Sequence, residues 1–312
     1  MPDPAPTTIA GILRGPLGAR YLGDDYPRWR QGRGDQRSKT IEEAEHEADL
    51  LAKALRRDGS EEALDLAAVL DGCSPRRPCT SGACPICMTA AQRVFVDATE
   101  NAFGDPPGAS VAANVVYVGA AVDDGALDGR AFDAIRRRLD RALGDCRLRA
   151  FGGFDISANR HERGEFAPFW SPHARIFASA RLDEHSLKER FGRWFSPDGA
   201  TPRPVRIESF DGQRRGRAYA LKPDFFERIS LERRRQADGS RSTYSTRLKP
   251  VWGPRRVELA LALDQAGLDA RIYLRGFELM ARNGRAEIVP SPQTAPPARA
   301  TRKPDERDRP KA

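Results

Sequence analysis

Residues 154–180 read FDISANRHERGEFAPFWSPHARIFASA, and this stretch decides the fold. Its flanks, FDISAN and FWSPHARIFASA, alternate apolar and polar residues at a period of two, the pattern of half-buried β-strands. The polar tip between them holds a single glycine, Gly164. A hairpin folded about Gly164 pairs residues equally distant from it, so Asp155 stands opposite His173. Phe154 and Ile156 then share one face with Ala174 and Ile176, while Asp155, Ser157, His173 and Arg175 share the other. A one-residue slip would exchange the faces. The polar face has two readings: an Asp155–Arg175 ion pair beside a structural histidine, or a functional site.

Composition bounds the choice. The 312 residues suffice for one large or two smaller domains with a sizeable core. Lys and Arg number 52 against 44 Asp and Glu, a net charge of +8. Most of that excess is arginine, which suits bidentate phosphate contacts and points to a polyanionic partner. No apolar run is long enough to span a membrane. The start, MPDPAPTTIAGILRGPLGAR, lacks the pattern of a signal peptide, so the expected location is cytoplasmic. In that compartment cysteines are reduced, and four of the five fall within fifteen residues, a metal-site pattern.

Outward from the hairpin, the chain divides by composition. Residues 1–36 are rich in Pro, Gly and Arg without a period and read as a flexible leader. Residues 37–104 read as a helical segment: Thr40 and Glu43 have capping-box spacing before IEEAEHEADLLAKALRR, and a second helix follows Ser60. His46 lies on the surface of the first. Residues 105–232 form the core around the hairpin. There ASVAANVVYVGAAV reads as a buried strand and FDAIRRRLDRALGDC as an amphipathic helix. LDEHSLKERFGRWF, which carries His185, reads as a further helix, and TPRPVRIESF as a strand. Residues 233–289 contain an exposed loop to about 255 and then accessory elements, with a helix in VELALALDQAGL. RIYLRGFELM is open between strand and helix. Residues 290–312, full of Pro and charge, are expected to be disordered. The expected class is α+β, helices on an antiparallel sheet.

The cysteines read Cys73-SPRRP-Cys79-TSGA-Cys84-PI-Cys87. Zinc favours tetrahedral thiolate sites containing a C-x2-C knuckle, and Cys84 and Cys87 supply one. Cys73 and Cys79 complete a set of four, which leaves no open position for water, so the expected ion is structural Zn²⁺. Nearby Arg76 and Arg77 favour thiolates. Cys146 stands apart and reads as a small core residue.

A third signal is Arg-Ala-Tyr219-Ala-Leu-Lys222, expected on a helix interrupted near Pro223. At that spacing Tyr219 and Lys222 share a helical face. A tyrosine can form a covalent intermediate, and a nearby cation stabilises both its phenolate and the phosphate it attacks. The plain alternative is a core tyrosine beside a surface lysine.

In order, the chain has a cysteine cluster ending in C-P-x-C, a helix with Gln92-Arg93, and a small β-branched strand. An acid-bearing strand next to P-H-x-x and a Y-x-x-K follow. From Cys73 to Lys222 this resembles the rolling-circle plasmid replication initiators (Rep) of the HUH endonuclease superfamily. The resemblance implies a five-stranded antiparallel sheet with flanking helices, and an enzyme that nicks one DNA strand and stays joined to the 5′ phosphate. By it, Val115 to Val122 matches the first conserved strand and Tyr219 the nucleophile. Lys222 is the lysine one turn on, while Asp155 and His173 are ligands of a catalytic Mg²⁺ or Mn²⁺. The partners implied are single-stranded or origin DNA and a host helicase. One departure stands out: the second histidine is Arg175, which has no lone pair for a metal and would repel it. Either Arg175 contacts the phosphate itself, or the chain is a zinc-containing DNA-binding relative that does not cut. His161 and Glu162, at the tip, are the substitute ligands to consider. A zinc-stapled RNA-binding or interaction module is the reading from another class.

Overall fold

Two short helices stand where the leader is expected. The computed structural model describes residues 6–27, 38–103, 110–144, 148–164, 166–179, 184–197, 203–232 and 244–291. Within the first of these, α1 (Ile9–Arg14) and α2 (Gly18–Leu22) bury Ile9, Ile12, Leu13, Tyr21 and Leu22. Asp269, far along the chain, accepts from the Ile9 amide at 2.7 Å. This part of the leader is therefore structured; helices this short cannot display a period, which is why composition alone suggested a flexible chain. The helical segment follows as α3 (Ile41–Asp58), α4 (Glu61–Asp71) and α5 (Pro85–Ala98). Thr40 and Glu43 cap α3 reciprocally, and Gly59 closes it in the left-handed region.

The sheet contains β1 (Ser110–Val116), β2 (Val122–Asp123), β3 (Ala150–His161), β4 (Phe169–Ser179) and β5 (Val205–Ser209). α6 (Asp133–Leu143) lies between β2 and β3, and α7 (Glu184–Trp194) between β4 and β5. There follow α8 (Arg214–Ala220), β6 (Phe226–Glu232), β7 (Tyr244–Pro250), α9 (Pro254–Ala266) and β8 (Ile272–Arg275). β9 (Phe277–Arg282) and β10 (Arg285–Pro290) form a separate antiparallel pair, so RIYLRGFELM resolves into strands. The strand order is β5-β1-β4-β3-β6-β7, with β2 beside β4 and β8 beside β3.

The hairpin has the expected register, Asp155 opposite His173 and Phe154 opposite Ala174. The expectation of a wholly antiparallel sheet is corrected at one interior pairing. β6 runs parallel to β3, so the sheet is mixed. A parallel neighbour requires a long crossover, and β4, α7, β5 and α8 provide it. The exposed loop expected to 255 is corrected too, because residues 244–250 are β7, paired antiparallel with β6. Cys146, residues 233–243 and residues 292–312 lie outside the described residues.

One hydrophobic cluster runs from Ile9 to Ile288, joining the helical segment, the sheet and the last strands. Phe154, Ile156, Ala174 and Ile176 are buried on one hairpin face, as the alternation requires. On the other face, Phe151 stacks on Phe177 and Phe103, its ring centre 5.1 Å from each. Farther along that face, Gly153 lets α8 lie against β3. A Cβ there would stand 2.0 Å from the Ala220 carbonyl oxygen, so only glycine allows the end of α8 to touch the strand.

Candidate functional site

Gly153 and Asp155 project from the same face of β3, so the close approach of α8 delivers the Tyr219–Lys222 segment to Asp155. α8 ends at Ala220, which corrects the idea that Tyr219 and Lys222 share a helical turn. Lys222 sits beyond the helix and reaches back to the strand. Its Nζ lies 2.5 Å from Asp155 Oδ2, with the two side chains only 8% and 15% exposed. Arg271, fully buried, secures that turn by donating to the Lys222 and Phe154 carbonyls at 2.8 and 3.1 Å. Burial pulls its guanidinium down to about 10.

Burial pushes the Asp155 carboxyl up, but Lys222, His173 and Arg271 outweigh it and hold the group below its ordinary value. Its Oδ1 is buried and has no hydrogen-bond partner among the described residues. His173 Nε2 lies 2.7 Å from Ser157 Oγ. Burial lowers His173 to about 4, against the pull of Asp155 and with help from Arg228 and Lys222. The imidazole is therefore neutral near pH 7.

Arg175 is held from the neighbouring strand β1 and from β5 beyond it. It donates to Asn114 Oδ1 of β1 at 2.8 Å and pairs with Glu208 of β5 at 3.1 Å. Its guanidinium carbon is 5.2 Å from the centre of the Tyr219 ring, and Lys222 Nζ is 5.8 Å from it. Tyr219 itself is 41% exposed. Five residues singled out in the sequence, Asp155, His173, Arg175, Tyr219 and Lys222, thus meet on one face. His161 is buried at the end of β3 and packs on Phe166, its ring centre 5.4 Å away, whereas Glu162 is exposed. Among the described residues, the only group of three or more potential ligands within reach of one ion is the four cysteines.

In that group the ligand atoms of Cys73, Cys79, Cys84 and Cys87 lie within 4.8 Å of one another. Cys73 and Cys79 are each 3.7 Å from Cys87, and Cys84 is 3.5 Å from Cys73. A zinc ion with Zn–S bonds of about 2.3 Å spans a tetrahedral edge of about 3.8 Å, so the cluster can hold a metal such as zinc. Amides face the sulfurs: Cys79 donates to Cys73 Sγ at 3.4 Å and Thr80 to Cys87 Sγ at 3.3 Å. Thr80 has φ 61°, a left-handed conformation that a β-branched residue holds only under constraint. Hydrogen bonding with Cys79 holds the Cys73 thiol well below its usual range.

The same helix fastens the tyrosine helix. α5 begins immediately after Cys84 and carries Cys87, Gln92, Arg93 and Asp97. Gln92 donates to the Ala218 carbonyl at 2.8 Å, next to Tyr219. Asp97 binds Arg214 at the start of α8 at 2.5 Å and Tyr26 at 2.7 Å. Arg93 is buried and donates to the carbonyls of Tyr21, Gly23 and Lys39 at 2.8–3.0 Å. The Gln92-Arg93 pair therefore ties cysteine cluster, leader and tyrosine together.

Compared with protein-family models, curated proteins and solved structures, the chain has no match. The reading of the site rests on its geometry. No helix among the described residues is long and apolar enough to cross a membrane. Sequence reasoning placed Ser157 on the polar face without a role and passed over Gly153, Glu208, Arg228 and Arg271. The Gly152-Gly153 pair inside a strand was the one available signal, since glycine there marks close backbone approach.

Proposed function

We propose that this chain is a replication-initiator-like DNA-binding protein that nicks one DNA strand by tyrosine transesterification. A single observation carries the reading. A half-exposed tyrosine lies beneath two cations, Arg175 and Lys222, on the strand face that bears Asp155 and neutral His173. In the step, Tyr219 Oη forms a bond to a backbone phosphorus and loses its proton to water. The bond from phosphorus to the 3′ oxygen breaks, and that oxygen takes a proton to leave as a 3′-hydroxyl. Arg175 and Lys222 supply fixed positive charge where the phosphorane develops negative charge. The donors that would hold Mg²⁺ or Mn²⁺ are Asp155 Oδ1, a carboxylate oxygen with no hydrogen-bond partner among the described residues, and the Nδ1 of neutral His173, whose Nε2 faces Ser157. When bound, such an ion polarises the phosphate. Zn²⁺ on the four cysteines has a structural role in this reading.

A second reading, a DNA-binding relative that does not cut, is favoured by the engagement of Arg175 with Glu208 and of Lys222 with Asp155. Incubation with single-stranded origin-type DNA and Mn²⁺ separates the two. A covalent adduct stable in detergent, and lost in Tyr219→Phe, is expected. Salt-sensitive DNA binding without an adduct would replace the first reading by the second.

A further inference from the structure

The polar face of the hairpin continues two strands beyond Asp155. Asn159 lies on that face at a period of two, and the parallel register sets Arg228 of β6 beside it. Leu248 of β7 lies opposite Arg228. Phe226, two residues before Arg228, shares the face, and Lys222 Nζ lies 5.4 Å from its ring centre. Tyr219, Lys222, Phe226, Arg228 and Leu248 therefore follow one another across the sheet. From β4 to β7 is three strand spacings, about 14 Å, room for a few nucleotides.

Charge and polarity along this line are uneven in a useful way. Lys222 is taken by Asp155 and Arg175 by Glu208, whereas Arg228 makes no ion pair among the described residues. Arg228 is close enough to depress His173. Among the described residues, Lys222, Arg175, Arg228 and Arg271 stand against Asp155, Glu208 and Asp224, and Asp224 is itself paired with Lys39, so the face keeps an excess of positive charge. Leu248 is 57% exposed on the outermost strand of the path. A lone exposed leucine carries no message; this one stands beside a half-buried phenylalanine and a guanidinium that makes no ion pair among the described residues.

We propose that the β6–β7 ribbon carries the single strand of DNA flanking the phosphate at Tyr219. Arg228 binds a neighbouring backbone phosphate, and Phe226 and Leu248 pack against the adjoining bases. Stacking on apolar side chains beside phosphate-binding cations is how single strands are held without sequence readout. The inference rests on the nicking reading for where the strand begins, but its test needs no chemistry.

The test uses full-length protein carrying Tyr219→Phe and fluorescent oligothymidylates of increasing length, with affinity followed from low to moderate salt. Adding Arg228→Gln should weaken binding about tenfold and flatten the salt slope by about 0.7, one phosphate of a single strand. Arg228→Lys should keep the slope. Leu248→Ser should remove the affinity gained on lengthening the oligonucleotide. Lys249→Gln, on the opposite face of the same ribbon, should change neither. An unchanged slope in Arg228→Gln, an equal loss in Lys249→Gln, tighter binding of duplex or RNA, or no single-strand binding would each overturn the proposal. If these binding effects appear but the unmodified protein forms no adduct, the nicking reading fails and the track stands.

Discussion

Replacing Lys222 by methionine keeps the stem of the side chain and removes the charge from Asp155. The two side chains are 8% and 15% exposed. Breaking a pair this buried by deleting one partner costs about 3–5 kcal/mol, because the remaining charge is left desolvated. Arg271 still favours the carboxylate, so the lower figure, about 3 kcal/mol near pH 7.5, is expected. The pH dependence gives the sharper check. In the unaltered protein Asp155 is held below its ordinary value, so its contribution is present above the unfolded value near 3.9 and is lost as pH falls through the folded one. In Lys222→Met, burial acts with less opposition and lifts the carboxyl above its ordinary value. The penalty is then full above that raised value and shrinks as the pH falls through it. Urea unfolding of the parent, Lys222→Met, Asp155→Asn and the double variant at pH 7.5 and pH 5 measures both effects and their coupling. A cost under about 1 kcal/mol at pH 7.5, or a gap to the parent that does not narrow at pH 5, would refute the buried pair.

Two further outcomes follow from the scaffold. Metal analysis should find one zinc per chain, and Cys84→Ser should lower the melting temperature by about 10 °C while releasing that zinc; protein free of zinc would remove the assignment of all four cysteines. Gly153→Ala should cost on the order of 2 kcal/mol and displace α8, since its Cβ would meet the Ala220 carbonyl oxygen at 2.0 Å; calorimetry with the adduct assay checks this, and an unaffected variant would mean that α8 does not rest on β3.

The legible parts of this chain are those where a local rule has a non-local consequence. A period of two and a single tip glycine sufficed for the hairpin, and with it for the Asp155–His173 pair. The spacing of Cys84 and Cys87 marks a knuckle whatever the surrounding fold. What stayed hidden depends on contacts distant in sequence. The parallel docking of β6 on β3 follows from a crossover of over sixty residues, for which no residue type is diagnostic. Lys222 reaches Asp155 because α8 stops at Ala220, a boundary set by Pro223 and by the close seat on Gly153. α1 and α2 are too short to show a face, yet they bury some of the best-covered side chains of the chain, Ile9 and Tyr21 among them.

The arginine at position 175 alters more than a metal ligand. A histidine there would leave Glu208 and Asn114 without the donor that bridges β5, β4 and β1. Arg175 instead ties three strands together and lays its guanidinium over the phenol ring. Its charge is fixed by two acceptors; on the proposed nicking, such preorganised charge would need no reorganisation as the phosphate becomes more negative. Lys222, pinned between Asp155 and the turn held by Arg271, is constrained in the same way. Both cations are therefore built into the sheet rather than recruited by the ligand. Arg228 is different, because no carboxylate among the described residues claims it, so the free positive charge of the face lies two strands from the tyrosine. On the proposed track, a nucleic acid drawn by that charge would first meet the ribbon, and its backbone would then extend inward over Phe226 and Lys222 toward Tyr219.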